Sequence, residues 1–479
     1  MSSLDTSREA ISPRLHPRGF ALPGLLISGG SVLLFGLLVA MAFIRTGLFS
    51  WSVGLVYIGY DTALLGFVAI KSWPLRHPPV ARPRTTAHPT LGVIIAAHDE
   101  ADVIAATVRA LLAQPDPPER ILIADDGSTD ATPQALRAAF GIEPPPAGEA
   151  ADAAGLPVRW LRLPHGGKAR ALNAAIPHLD TAIVVTIDAD TLLDPGAIAA
   201  MRAAFAEDDR LVAATGVLRP ICDHSLRGRI FQWFQTYEYV RNFLARYAWM
   251  RNEGLLLVSG AFAGFDRAAL IEVGGFDPET MTEDYELIHR LHRYGVDHGR
   301  DWRVKVVGEA RARTDSPASL PAFLRQRRRW FAGFLQTQYW NRDMIGNRRY
   351  GRLGTAMLPV KAMDTVQPIF GLAAFAILIA LIATGRLIVA LPVVLVMGTK
   401  ILVDLAFLLW SLKLYRNWTG DSDAPRPGPA ILAALCEPFS FQLLRHTGAA
   451  LGWWTVLTGT GTWGRQTRGG IRDRLATDP

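Results

Sequence analysis

Cysteine is nearly absent: the 479 residues include two, Cys222 and Cys436. They stand far apart without metal-type spacing, which excludes a disulfide framework and a cysteine-built zinc site. No Walker lysine motif occurs, and no G-x-G-x-x-G joins a strand-like run to a helix, so P-loop chemistry and dinucleotide binding lose ground. Between about Leu91 and Trp340 no apolar run reaches membrane-spanning length, so the middle of the chain reads as a soluble domain. Charge of one sign is not extreme: 50 Lys and Arg stand against 43 Asp and Glu, a formal net of +7. The bases cluster beside apolar runs and beside acids, which argues against a nucleic-acid partner.

Long apolar runs are present on both sides of that middle, and half of all residues are hydrophobic (50%). Phe20–Ile44 and Phe49–Ile70 each suffice to cross hydrocarbon at about 1.5 Å per residue. The first is too long for a signal-peptide core and lacks a small-residue cleavage pattern. Asp61, inside the second, is expected to face protein rather than lipid. Arg8, Arg14 and Arg18 precede the pair and Lys71, Arg76, Arg82 and Arg84 follow it, so positive-inside counting puts both flanks in the cytoplasm. Val366–Gly385 and Leu387–Leu412 are two further spans, with Arg386 between them and Lys400 and Asp404 spaced to pair within the second. Ile431–Trp463 is interrupted by Glu437, Arg445 and His446; it reads as one span plus an interfacial helix or as a re-entrant pair. The expected division is a cytoplasmic segment 1–19, two transmembrane helices 20–71, a linker 72–90, a soluble domain 91–345, a transmembrane region 346–463 and a basic tail 464–479.

The chemistry-bearing stretch is Ala182–Asp194. Ile183, Val184, Val185 and Ile187 form an apolar strand that stops at Asp188 and Asp190. Residues two apart on an extended backbone face the same side, so both carboxylates can serve one point beyond the strand's carboxyl end. Alone, D-x-D is more often an Asx-type turn. Here the pattern recurs. Leu91–Ala97 leads into His98-Asp99-Glu100, and Ile121–Ala124 into Asp125-Asp126-Gly127-Ser128, with Ser128 and Thr129 placed to cap the next helix. Val158–Leu163 leads into His165-Gly166-Gly167-Lys168 and a helix through Ala175. Strands and helices alternating at this spacing predict a parallel, doubly wound α/β sheet whose ligand edge collects these groups. Gly141–Gly155, rich in Pro and Ala, reads as an exposed loop. Ile230–Met250 has aromatics at helical spacing, which suit core packing or an amphipathic face at a membrane. Glu283 and Asp284 follow Thr282, a candidate cap for the helix beyond. Arg325–Trp330 sets four arginines beside an indole, suited to anionic lipid or to a leaving diphosphate.

This order resembles the membrane-embedded family 2 glycosyltransferases of the GT-A fold, the group of cellulose, hyaluronan and poly-N-acetylglucosamine synthases. The matching pieces cover about Leu91 to Trp340: Asp126 in D-D-G-S, Lys168 in G-G-K-A-R-A-L-N, the D-x-D of Asp188 and Asp190, the T-E-D of Thr282–Asp284, and Q-x-x-R-W as Gln326, Arg329 and Trp330. The resemblance implies a Rossmann-like, mostly parallel GT-A domain in the cytoplasm, inserted between N- and C-terminal transmembrane helices of an inner (plasma) membrane protein. It implies that Asp126 binds uracil with His98 near the base, and that Lys168 meets the diphosphate. Asp188 and Asp190 would contact the nucleotide sugar, with Asp190 on a Mg²⁺ or Mn²⁺ ion. Asp284 would be the general base, and Glu283, Gln326, Arg329 and Trp330 the acceptor and diphosphate end. Two departures stand out: the first strand ends in Ala-His-Asp-Glu, and Ser259-Gly260-Ala261-Phe262 replaces the Phe-Phe-Cys acceptor motif of cellulose synthases. Arg468 and Arg472 imitate the start of a cyclic-di-GMP site without its companion motif, so no such domain is expected.

The expectation is therefore an inverting transfer from a UDP-sugar to a hydroxyl acceptor, foremost by a processive β-polysaccharide synthase with room for an export-partner subunit. A glycolipid synthase adding one sugar to a lipid acceptor is the alternative. An inactive membrane scaffold is a third reading, and the retained acids Asp126, Asp188, Asp190 and Asp284 argue against it.

Overall fold

The computed structural model describes residues 3–45, 47–78, 87–421, 423–459 and 470–477. Its centre is a nine-stranded sheet: β1 Leu91–Ala97, β2 Arg120–Asp126, β3 Ala150–Asp152, β4 Val158–Leu163, β5 Ile183–Asp188, β6 Thr191–Leu193, β7 Leu211–Ile221, β8 Phe262–Asp266 and β9 Arg303–Asp315. The order is β3-β4-β2-β1-β5-β8-β7-β9-β6. β4, β2, β1 and β5 are parallel, with Ile95 opposite both Ile123 and Ile187. Ile94, Ile95, Ile123 and Val185 are fully buried, as expected for strands covered by helices on both faces. Each such side chain contributes about 1.5–3 kcal/mol of apolar burial. The other half of the sheet is mixed: β8 runs against β5 and β7, and β9 runs parallel to β7. The chain reaches β8 only after a long helical excursion, Leu226–Met250, and re-enters the sheet from the opposite end.

Two local expectations are corrected. The stretch 141–155 is not all loop, because β3 pairs antiparallel with β4. Arg159 holds it by donating from Nε and Nη2 to the Asp152 carboxylate at 2.8 and 2.7 Å; a three-residue strand is too short to show a period. Ser128 and Thr129 do not cap the helix Thr132–Phe140. The N-cap is Ala131, which brings no side-chain bond; one residue earlier, Asp130 Oδ1 accepts the Thr132 N–H at 2.9 Å, while Ser128 Oγ accepts the Asp99 N–H at 3.0 Å. Thr282 likewise stands at the N-cap of helix Glu283–Asp297 without a side-chain capping bond.

Four helices among the described residues are long and apolar enough to cross a membrane: Leu22–Ile44, Gly47–Arg76, Leu353–Ala383 and Ala390–Thr419. The described part of the third stretch, 431–459, supplies none. It divides into Pro427–Cys436 and Phe441–Thr458 around Glu437, whose carboxylate is held by Arg241 at 2.5 Å and Arg445 at 3.5 Å. Phe441–Thr458 packs instead along helix Leu320–Trp340: a Cβ on Gly452 would stand 2.7 Å from Phe331. The aromatic helix is partly core, with Phe234 stacked on Phe441 at 5.1 Å between centroids. Lys400 pairs with Asp404, as its spacing predicts, and also with Asp61 at 2.6 Å. The helix Ser3–Ile11 docks on the sheet domain, Arg8 donating to the carbonyls of Gly274 and Phe276 and Arg14 meeting Asp277 at 3.1 Å. The N-terminal segment and the sheet domain therefore share one side of the apolar helices. Residues 79–86 of the expected linker lie outside the described residues, as do 460–469, which hold Arg465 and Arg468; Arg472 meets Asp102 at 3.5 Å.

Candidate active site

Because β1, β2, β4 and β5 are parallel, their carboxyl ends lie along one edge, and the polar residues that follow each strand meet there. From β2, Asp126 is only 4% exposed, and its Oδ1 and Oδ2 accept the backbone N–H groups of Gly166 and Gly167 at 2.7 and 2.9 Å. This fixes the loop after β4. Gly167 has φ +94°, a conformation closed to most side chains, and the next residue is Lys168, which starts the helix Lys168–Ala175. From β1, His98 directs Nδ1 to the Asp126 carbonyl at 2.9 Å, and His165 does the same at 3.1 Å. The two imidazoles stack with centroids 4.3 Å apart. His165 was in view in the sequence as part of the glycine-lysine loop, yet nothing in its spacing announced the stack.

Lys168 is the hub. Its Nζ lies 2.6 Å from Asp188 Oδ1 and 3.3 Å from Glu283 Oε1, and it donates to the Gly260 carbonyl at 3.3 Å. Burial pulls the ammonium's pKa down, but Asp188, Glu283 and Asp284 outweigh it and hold it above the ordinary lysine range. Gly260 links the two halves, for its N–H donates to Asp284 Oδ2 at 2.8 Å while its carbonyl faces the lysine. Asp284 Oδ1 also accepts the Tyr285 N–H at 2.8 Å. Burial first, and then the neighbouring Glu283, raise the Asp284 carboxyl above the usual carboxylate range against the pull of Lys168. Residues from β2, β4, β5, the loop before β8 and helix Glu283–Asp297 thus form one connected polar group.

The Q-x-x-R-W segment reaches this group through helix packing. A Cβ on Gly333 would stand 2.3 Å from Thr282 Oγ1, so helix Leu320–Trp340 lies directly on the start of helix Glu283–Asp297, and Phe334 packs on Tyr285 at 4.7 Å. Arg329 is one turn before Gly333, on the same face. The Trp330 ring lies 4.5 Å from the Arg327 guanidinium, and Arg327 is paired with Glu238 at 2.8 Å. Gln326 is buried at 8% exposure.

Asp188 is half-buried and Asp190 is 2% exposed. Both are hard oxygen donors two residues apart at the end of β5, the chemistry that fits Mg²⁺ or Mn²⁺ when phosphate oxygens complete the shell. Among the described residues, the three-donor cluster within 4.8 Å is a different one, His98, Asp126 and His165. Hydrogen bonds account for it: both Nδ1 atoms face the Asp126 carbonyl, His165 Nδ1 also lies 3.0 Å from Asp126 Oδ2, and each carboxylate oxygen accepts one glycine N–H.

The chain is 30% identical over 241 residues to a poly-β-1,6-N-acetyl-D-glucosamine synthase of Staphylococcus aureus, a match covering 50% of this chain and 53% of the relative. A synthase of the same description from Staphylococcus epidermidis is 26% identical over 285 residues, 59% of this chain and 61% of the relative. The matches thus span little more than half the length of these relatives. A mannosyltransferase from Pyrobaculum calidifontis, solved with GDP-Man and Mn²⁺, shares the fold with a TM-score of 0.52 at 21% identity, over 81% of this chain and 99% of that one. The model of the family described as Glycosyltransferase like family 2 matches residues 88–333, a stretch that holds all nine strands and the Lys168 group and is just over half of the chain. The chain is a glycosyltransferase belonging to that family.

Proposed function

We propose that the protein transfers a sugar from a UDP-sugar to a hydroxyl acceptor with inversion, and that it is a processive β-polysaccharide synthase of a cell's inner membrane with its sheet domain in the cytoplasm. The observation that carries this reading is the contact chain from Asp188 through Lys168 and Gly260 to Asp284, which puts a cation for a diphosphate beside a poised carboxylate. The four apolar helices and the synthase names of the relatives support the membrane and polymer parts.

Asp284 would accept the proton of the acceptor hydroxyl as its oxygen attacks the anomeric carbon from the face opposite the diphosphate. The bond from the anomeric carbon to the diphosphate oxygen breaks in the same displacement, UDP leaves, and an α-linked donor gives a β-linked product. Lys168 and Arg329 would stabilise the charge that grows on the leaving diphosphate, an effect that raises the rate because it is largest in the transition state. Asp190, with Asp188 beside it, would hold a divalent cation whose chemistry is to neutralise the same diphosphate. Asp126 would hold the Gly166-Gly167 loop in place at the base end and offer its remaining lone pairs to the uracil, with His98 and His165 as the adjoining stacking surface. Gln326 and Trp330 would border the acceptor.

The test is to incubate the full chain in membranes with a panel of radiolabelled nucleotide sugars and size the product. A long, water-soluble β-linked polymer from one UDP-sugar is expected. An organic-extractable product of single-sugar size would make it a glycolipid synthase, and transfer from GDP-sugars alone would overturn the uracil reading.

A further inference from the structure

Helix Leu226–Met250 carries inward-facing charges, and two of them are matched. Glu238 meets Arg327 at 2.8 Å and Arg241 meets Glu437 at 2.5 Å. Arg246 has no such match. Its Nε and Nη1 are out of solvent and face no acceptor among the described residues, and its guanidinium rests 4.5 Å from the centroid of the Phe243 ring. Arg246 is half-buried, and two of its donors are held out of solvent with no ion pair among the described residues; that is costly, so a purely structural site would pair it or replace it with an apolar residue. The carboxylate whose field it feels is Asp284. Burial brings the guanidinium down to about 10 with Asp284 opposing, so it remains charged at neutral pH.

We propose that Arg246 is a substrate-binding residue that takes a phosphoryl oxygen at the edge of the Asp284 cleft. The ligand has to be anionic, because a sugar hydroxyl would satisfy the N–H groups and leave the charge uncompensated. Two sources carry that chemistry: the diphosphate of the donor, and a phosphate on the acceptor. The inference rests on Asp284 marking the transfer centre.

The full chain in detergent or nanodiscs, as wild type, Arg246→Gln and Arg246→Lys, is assayed for the affinity of UDP and GDP and for kcat and KM of donor and acceptor. Arg246→Gln is expected to weaken one ligand at least tenfold, with Arg246→Lys recovering only part of the loss and leaving a threefold or larger defect. Weakened nucleotide and a raised donor KM assign the donor diphosphate. Unchanged nucleotide affinity with a raised acceptor KM assigns an acceptor phosphate. If both constants stay within twofold of wild type in a protein that turns over, the inference is wrong although the transfer reading stands. Wild-type protein that binds UDP and GDP yet transfers no sugar would instead sink the transfer reading, leaving the nucleotide arm to decide Arg246. Should Arg246→Gln not fold, Arg246→Lys decides alone: a threefold or larger rise in one KM at constant kcat supports binding, and two unchanged KM values overturn it.

Discussion

At the scale of single residues, the cleft works by opposition between a few charges held at fixed distances. Lys168 stands against both Asp188 and Glu283 and offsets part of their charge, which leaves Asp284 raised by burial and by Glu283 against the pull of the lysine. If Asp284 is the base, Asp284→Asn should cut transfer about 10²–10⁴-fold while UDP affinity holds; retained turnover would remove it from that role. The pH dependence has a definite sign. The working form is the carboxylate and its pKa is raised, so kcat/KM should fall as pH drops through a value above the ordinary aspartate figure of about 3.9. A pH–rate profile that stays level down to about that value would contradict the assignment. EDTA should stop turnover and Mn²⁺ or Mg²⁺ restore it, and Asp190→Asn should raise the concentration of Mn²⁺ needed. Indifference of the rate to chelation would count against the carboxylate pair as a cation site.

At the scale of elements, the site depends on how closely two helices approach. Gly333 lets helix Leu320–Trp340 rest on Thr282, where an added Cβ would fall 2.3 Å from Oγ1 and 2.9 Å from the Thr282 Cβ. Gly333→Ala must push the helices apart. It should cost about 1–3 kcal/mol, read as a lower thermal midpoint, and slow transfer by shifting the helix that carries Arg329 against the start of helix Glu283–Asp297. A variant with wild-type stability and rate would show that this packing does not set the site. Helix Glu283–Asp297 is pinned from its other side by Arg290, which is 1% exposed, pairs with Glu286 at 2.7 Å and donates to the Gly275 carbonyl at 2.8 Å. Arg290→Met would strand the buried Glu286, with an expected loss of about 3–5 kcal/mol in an unfolding measurement.

At the scale of the whole molecule, the sheet domain and the apolar helices are joined by charge as well as by chain. Arg327, Glu238, Arg445, Glu437 and Arg241 form a run of ion pairs from the Q-x-x-R-W helix to Phe441–Thr458. Deeper, Lys400 serves both Asp61 and Asp404 and so ties the second apolar helix to the fourth. Lys400→Met would leave two acids without their cation among apolar helices and should lower the yield of folded protein from membranes. Lys400→Met combined with Asp61→Asn and Asp404→Asn should recover part of it; no recovery would mean the lysine does something beyond charge balance.

The sequence alone was enough for the strands β1, β2, β4 and β5, for four apolar helices and for the family, because each rests on a local pattern: an apolar run, its length, or a short motif. The pairing of Lys400 with Asp404 was also legible, being one helical turn. It could not place Asp61 on the same lysine, reveal β3, or show which helices the two halves of 431–459 pack against. Nor could it show that Asp126 is braced by Gly166 and Gly167, that Lys168 bridges Asp188 and Glu283, or that Arg246 stands unmatched. Those facts are contacts between residues far apart in the chain, and only the folded arrangement decides which distant charges meet and which one is left over.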